Sequence, residues 1–222
     1  MVTKETRTLE PIDGYEQFFD FFSKDIKNFK KKFFDFGLKK IITIEKEKAE
    51  KEWKNLLSNI NKGSNNLFIR NFGRDGKRNG EMKELYKKVF GIKDIKIDKN
   101  TEPTKLLQNN TDYNKRKNIS NYQISHVFGM TGNVYCFVAP WNIVYIPKFY
   151  DPFTGHEAKG KCVEEFQKLF REKIFNEFKP QIEAYNKIMR KKRPEIKAWL
   201  DKKKIVKKSR EEILENFEEI KV

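Results

Sequence analysis

Residues 121–160 read NYQISHVFGMTGNVYCFVAPWNIVYIPKFYDPFTGHEAKG, and this stretch decides the fold that the rest of the chain supports. The apolar run around His126 predicts a short strand, and a β-like run at 143–146, which stops at Pro147, predicts another. A glycine-containing turn at 129–133 leads into a further apolar run at 134–138. From Glu157 onward the apolar residues recur at helical intervals, which predicts a helix with His156 at its start. The stretch therefore predicts strand, hairpin and helix.

The order of three side chains in this stretch resembles the HNH, or ββα-metal, nuclease motif. Asn142 follows His126 by 16 positions, and His156 follows Asn142 by 14 positions. The resemblance implies that His126 is the general base, that Asn142 holds the loop that orients this base, and that His156 binds one divalent metal ion. It extends over residues 121–160 only.

Two positions depart from the family's pattern. Many members carry Asp or His immediately before the base, where this chain has Ser125, which we interpret as structural. The gap between Asn142 and His156 is longer than usual, and Asp151 stands at the more usual distance. The metal ligand is therefore Asp151, His156 or both. We expect Mg²⁺, because oxygen ligands favour it, with Mn²⁺ as the alternative.

The chemistry of phosphodiester hydrolysis explains why such residues would be needed. A neutral imidazole, whose ordinary pKa is near 6.5, can accept a proton from the attacking water at neutral pH. A bound cation then stabilises the negative charge that develops on the phosphate and the departing oxygen. A structural interpretation also exists, in which the two histidines are a hydrogen-bonded core residue and a helix N-terminal residue. Their confinement with Asn142 to one segment favours the functional interpretation.

The charge of the chain predicts a polyanionic partner. Lys and Arg total 48 and Asp and Glu total 32, which gives a net charge of +16 over 222 residues. Nucleic acid is the commonest polyanion, and we expect DNA, with an anionic membrane surface or an acidic protein as alternatives. No run of eighteen apolar residues predicts a membrane span, and no apolar signal core precedes the first helix. With two isolated cysteines, this predicts a cytoplasmic location.

Basic side chains in four parts of the sequence are candidate nucleic-acid contacts. The glycine-rich stretch 71–80 could be only a solvated turn, or its arginines could bind phosphates and base edges. Two cations precede His126, one follows His156, and the most basic stretch of the chain lies at 187–210. The candidates are Arg70, Arg74, Lys77, Arg78, Lys115, Arg116, Lys159, Lys203 and Lys204.

The pattern of the whole chain predicts one α+β domain over residues 1–222. We expect a helical N-terminal part at 15–98, an HNH-like catalytic core at 121–178 and a basic helical C-terminal extension at 179–222. The fold class is thus a mostly helical body that carries a ββα-metal hairpin and helix.

Finer predictions concern individual segments. An aromatic stripe from Tyr15 to Phe29 predicts helix, with Gly37 as its stop. Residues 92–98 alternate like a strand, and 99–120 have the composition of a loop. A helix over 182–199 should break at Pro194, and the apolar side of the tail at 211–222 should pack on the core or on a second subunit.

The function that these features imply together is metal-dependent hydrolysis of DNA by a site-specific enzyme of the type II restriction class. A symmetric homodimer would let such an enzyme cut both strands of a two-fold site. Two alternatives remain. One is a nucleic-acid-binding protein without catalysis, and the other is a non-specific or RNA-cleaving HNH nuclease toxin.

Overall fold

The α+β class with a mostly helical body is confirmed. A computed structural model describes residues 12–72, 76–115, 117–155, 158–203 and 205–222. The larger helices are α1 (Gly14–Ser23), α2 (Phe29–Lys39), α3 (Lys46–Asn61), α4 (Gly76–Val89), α5 (Thr101–Asn110), α7 (Lys161–Glu177), α8 (Lys179–Asp201) and α9 (Lys207–Glu215). A single turn, α6 (Asp151–Thr154), precedes α7.

Two small two-stranded sheets complete the fold of these described residues. Strands β1 (Phe68–Arg70) and β2 (Lys96–Asp98) pair in parallel. Strands β3 (Tyr122–His126) and β4 (Ile143–Pro147) pair antiparallel, with His126 opposite Ile143. Both strands of the second pair overlap the runs that the sequence predicts as strands, around His126 and at 143–146. Strand β4 is fully buried, and its free edge bridges to Ile42, so the hairpin is fixed from both sides.

The apolar run between these strands forms turns and not a strand. Asn133 explains this, because its backbone carbonyl accepts from the amides of Cys136 (2.9 Å) and Phe137 (2.8 Å). Its side-chain oxygen also accepts from the amide of Tyr135, at 2.9 Å. Such side-chain to backbone bonds offer the chain an alternative to strand pairing. The run is almost wholly buried, so the hairpin's long connection belongs to the core.

The aromatic N-terminal segment forms two helices where the sequence predicted one stripe. The break lies between Ser23 and Phe29, where Asn28 adopts a left-handed conformation with φ of 58°. Gly37 does not stop the second helix, which continues to Lys39. A Cβ at Gly37 would come within 2.6 Å of the Tyr150 ring, so the missing side chain is what lets α2 approach that ring.

Several other segment predictions were wrong at their boundaries. Helix α4 already includes residues 76–80, α5 lies within the expected loop at 99–120, and β2 covers only the end of 92–98. Helix α7 begins at Lys161, later than expected, and α8 continues through Pro194 without a break. Tertiary packing outweighs local propensity in these places; in α5, for example, Leu107 is fully buried.

The C-terminal tail packs on the chain's own core. Ile213 and Phe217 are buried, and Ile220 is nearly so. The ring of Phe217 stacks on Phe90 with centroids 5.7 Å apart. The apolar side of the tail was expected to pack on the core or on a second subunit, and it packs on the core. No helix in the described parts of the chain is long and apolar enough to cross a membrane.

Candidate active site

His126 ends strand β3, where the hairpin opens into its long connection. Its Nε2 atom lies 3.0 Å from the carbonyl oxygen of Phe137, and the two rings stack with centroids 5.6 Å apart and planes 9° apart. Because a carbonyl oxygen only accepts, this contact assigns the hydrogen to Nε2. The lone pair is then on Nδ1, which makes no hydrogen bond to a described residue. The connection at 127–142 thus sets both the orientation and the tautomer of the imidazole.

The imidazole of His126 is neutral at pH 7. Burial lowers the pKa of His126 to about 4; the bond to the Phe137 carbonyl opposes this shift, and the positive charge of Arg70 adds to it. The side chain nevertheless keeps some exposed surface and lines a cleft. A neutral imidazole with one free nitrogen can accept a proton without first having to lose one.

Asn142, immediately before β4, ties the two ends of the connection together. Its side-chain oxygen accepts from the amide of Phe128 at 2.9 Å. Its side-chain nitrogen donates to the carbonyl oxygens of Gly129 and Cys136, both at 3.0 Å. Both of its side-chain N–H donors and one acceptor position of its oxygen are therefore used on the loop that carries the Phe137 carbonyl. Asn142 is fully buried and acts on the imidazole only through this loop.

A second set of buried hydrogen bonds attaches the connection to the surrounding helices. The hydroxyl of Tyr86 on α4 donates to the Gly132 carbonyl (2.7 Å) and accepts from the Val134 amide (2.8 Å). Asn216, just after α9, accepts from the Gly132 amide at 2.8 Å. Asn133 donates to the Asn216 carbonyl, also at 2.8 Å. Sequence reasoning missed these residues, since nothing in the local pattern distinguishes a buried polar anchor from a solvated one.

The exposed side of His126 faces a cleft of about 770 Å³. The cleft has polar side chains of both signs, and it is built from segments far apart in sequence. Its polar lining residues include Arg70, Arg78, Asn100, Gln123, Ser125, His126, Thr131, Asp151, Thr154, Glu212, Glu215 and Asn216. The structure therefore brings His126 and Asp151 to one cavity, together with two of the predicted cations.

Asp151 begins the short helix α6 and is exposed to the cleft. One of its carboxylate oxygens accepts from the side-chain amide of Gln123, which lies on the same strand as His126. An ionised carboxylate has about four acceptor positions, so this bond leaves capacity for a cation. Gln123 was not predicted, and it is the residue that couples Asp151 to strand β3.

The chemistry of this donor set fits a hard divalent cation in part. Asp151 offers carboxylate oxygen of the kind that Mg²⁺ or Mn²⁺ prefers. No group of three or more His, Cys, Asp and Glu side chains within the described ranges could hold a metal ion alone. Mg²⁺ commonly keeps several water ligands and takes only one or two carboxylates. The other predicted ligand, His156, lies outside the described residues.

Of the predicted cations, Arg70 and Arg78 line the cleft. The guanidinium of Arg70 donates to the side-chain oxygen of Asn100 at 3.0 Å and remains exposed. Arg78 forms an ion pair with Glu212 and lies 5.6 Å from the centre of the Phe72 ring. The positive charge of Arg78 is therefore already matched by an acid, whereas that of Arg70 is near enough to His126 to lower the pKa of the imidazole.

The remaining predicted cations are not brought into the cleft. Lys77 and Lys115 are exposed elsewhere, and Lys159 lines a separate apolar groove. Lys203 is paired with Glu84 at 2.5 Å. Arg74, Arg116 and Lys204 lie outside the described residues.

Comparison with known proteins identifies the family. The sequence profile described as "Uncharacterised protein PM1201" matches residues 44–222. The chain belongs to the PM1201 family. A relative described as "Uncharacterized protein PM1201", from Pasteurella multocida (strain Pm70), is 43% identical over 207 residues, which are 92% of either chain. No solved structure matches.

The region matched to the PM1201 family contains the whole cleft. Its lining residues extend from Arg70 to Asn216, inside the matched range 44–222. Helices α1 and α2 precede that range. The cleft is therefore built from the part of the chain that defines membership of the PM1201 family.

Proposed function

We propose that this protein is a metal-dependent endonuclease that hydrolyses phosphodiester bonds in DNA at the His126 cleft. One observation carries the proposal: a neutral imidazole, oriented by the Phe137 carbonyl, shares a cavity with the Asp151 carboxylate and the Arg70 guanidinium. These are a base, a cation ligand and a fixed positive charge. General acid–base chemistry on a phosphate requires such a combination within one site.

In this mechanism Nδ1 of His126 accepts a proton from the attacking water. Nε2 keeps its hydrogen and donates it to the Phe137 carbonyl oxygen, and this bond holds the ring in place while positive charge develops on the imidazole. Arg70 faces the negative charge that accumulates on the phosphate. Asp151, with His156 as the further candidate, would hold a divalent metal ion that stabilises the phosphate and the departing 3′ oxygen.

DNA as substrate is supported by the charge of the chain. A net charge of +16 favours binding to a polyanion whose phosphates number one per nucleotide. A site-specific enzyme of the type II restriction class, acting as a homodimer in the cytoplasm, is the form that the HNH resemblance favours. In that class a two-fold DNA site is cut on both strands by two copies of one cleft.

The experiment is cleavage of supercoiled plasmid DNA with Mg²⁺ or Mn²⁺, and with a chelator in parallel. We expect nicked and linear products with either metal and none with the chelator. His126→Ala should reduce the rate by about 10²- to 10⁴-fold, the usual contribution of a general base. Asp151→Asn should lower the rate at limiting metal, and Asp112→Asn, a change at an exposed carboxylate outside the cleft, should not.

Other results of the cleavage experiment would support one of the alternative functions. Equal behaviour of wild type and His126→Ala, with DNA binding retained, would make the protein a binding module without catalysis. Among active outcomes, discrete fragments indicate sequence recognition. A smear on DNA, or digestion of RNA, indicates the non-specific or RNA-cleaving alternative.

A further inference from the structure

A second opening, of about 610 Å³, lies beside the hairpin between the end of α2 and residues 113–122. We call it the lysine pocket. Its polar lining includes Lys39, Lys40, Thr43, Ser120 and Tyr122. No carboxylate is among the described residues that line it. Tyr122 faces this pocket while the next residue of β3, Gln123, lines the His126 cleft. The two openings therefore meet at the start of one strand.

The lysines around this pocket carry charge that no acid balances. Lys39, Lys40, Lys115 and Lys148 make no ion pair with any described residue, although many other lysines of the chain do. Lys115 and Lys148 are near enough to repel each other; burial lowers the pKa of Lys115, and the charge of Lys148 lowers it further. A cluster of like charges without counter-charges is unfavourable in the free protein. A bound anion would relieve it.

Exposed aromatic rings adjoin these lysines. Phe36, Tyr113 and Phe149 expose 47%, 40% and 52% of their surface, so part of each ring is accessible to a ligand. The rings of Phe36 and Phe149 stack, with centroids 6.2 Å apart and planes 20° apart. The Lys40 ammonium lies 5.8 Å from the Phe36 ring, and Lys148 precedes Phe149 in the chain. Tyr113 lines the lysine pocket itself, and the chain of contacts from Lys40 through Phe36 leads to Phe149, which also lines the separate apolar groove.

We propose that the lysine pocket and its neighbouring rings bind a nucleic-acid strand, with phosphates on the lysines and unpaired bases stacked on Tyr113 and Phe149. Positive charge combined with exposed rings is the usual composition of surfaces that bind single strands. The inference rests on the proposed function in one respect: the strand is continuous with the DNA whose reacting phosphate occupies the His126 cleft, and its bases are unpaired where they contact the rings. It passes around the start of β3, where Tyr122 and Gln123 face the two openings.

The test is binding of a fluorescently labelled DNA oligonucleotide, single-stranded or duplex, measured by anisotropy at several salt concentrations with a chelator present. Lys39→Gln combined with Lys40→Gln should weaken binding and flatten the salt dependence. For a single strand the slope of log K against log salt should fall by roughly 0.7 for each lost phosphate contact, or about 1.4 for the pair. Tyr113→Ala should weaken single-strand binding about fivefold or more and leave the slope unchanged.

The matched control is Lys87→Gln combined with Lys88→Gln. These two lysines are exposed in the last turn of α4, as Lys39 is in the last turn of α2, and they lie outside both openings. Both double variants remove the same total charge. Only the first should change the slope substantially. Circular dichroism and thermal unfolding establish that each variant is folded.

Each contrary result has a separate meaning. Equal slopes and affinities for the two double variants would overturn the inference. Loss of binding to anionic lipid vesicles with unchanged DNA affinity would overturn it in favour of a membrane surface. DNA binding that depends on Lys39 and Lys40 without any cleavage would remove the proposed function and keep the inference. If the protein cleaves DNA and the Lys39 and Lys40 double variant binds it as tightly as the wild type, the inference is removed and the proposed function is kept.

Discussion

At the scale of the residue, the unusual group is His126, a partly exposed imidazole held neutral by its surroundings. Its pKa is about 4 in the folded protein, against an ordinary value near 6.5 in the unfolded chain. Between these values the unfolded chain binds a proton that the folded protein does not. This contribution therefore lowers the free energy of unfolding as pH falls from 6.5 toward 4, and it is absent at pH 7.

His126→Gln should remove this pH dependence. Urea unfolding at pH 7 and at pH 4.5 gives the free energy of unfolding for both proteins. We expect the wild type to lose more stability than the variant over that interval. An equal loss in the two proteins would mean that the imidazole is protonated as easily in the folded state as in the unfolded state.

Asn142 permits a second prediction at this scale. Asn142→Ala leaves the Phe128 amide and two carbonyl oxygens without their partners in a buried place, which should lower the free energy of unfolding by about 3 kcal/mol. Asn142→Asp keeps the acceptor for Phe128 but loses both donated bonds. If the side chain matters by orienting His126, both variants should lose cleavage rate at saturating DNA more than DNA affinity. A loss in affinity alone would contradict that role.

At the scale of the element, α2 depends on the absence of a side chain at Gly37. A Cβ there would lie 2.6 Å from two ring carbons of Tyr150, so Gly37→Ala should lower the free energy of unfolding by about 1–3 kcal/mol even though alanine favours helix. Gly80→Ala in α4 is the control, since nothing lies within 4 Å of its added Cβ. It should raise the free energy of unfolding by about 0.5–1 kcal/mol. Thermal unfolding of the two variants should shift in opposite directions.

Some elements of this fold can be predicted from the sequence, and others cannot. The hairpin strands were predictable because each is a short run of β-branched and aromatic residues with turn-forming residues at its end. The first run is followed by the glycine-containing turn at 129–133, and the second stops at Pro147. Helix α5 was not predictable, because its Asn- and Thr-rich composition favours a loop. The burial of Pro103 and Leu107 in this fold stabilises it, and the Asp98 carboxylate accepts from the amide of Glu102 in its first turn. The candidate site divides in the same way. His126, Asn142 and Asp151 stand out by residue type and spacing, whereas Gln123, Asn100 and Glu212 reach the cleft only through tertiary packing.

At the scale of the whole molecule, the C-terminal segment helps to hold the hairpin's long connection in place beside the cleft. Phe217 packs on Phe90 and Tyr86, and Tyr86 in turn holds the connection at Gly132 and Val134. Phe217→Ala should lower the free energy of unfolding by about 3–5 kcal/mol, because the cavity left by a buried ring refills poorly. Val206→Ala, at a side chain 65% exposed, should change it by less than about 0.5 kcal/mol. Comparable effects of the two changes in urea unfolding would show that the tail is not part of the core.

The cleft is assembled from β1, α4, β3, α6 and α9, most of which are widely separated along the chain. Contacts of such long sequence separation cost more loop-closure entropy than those within a helix, and they form late. During refolding after dilution from denaturant, helical circular dichroism should therefore recover before the capacity to bind an oligonucleotide does. A newly made chain would pass through an interval in which its helices are formed and its cleft is still unassembled.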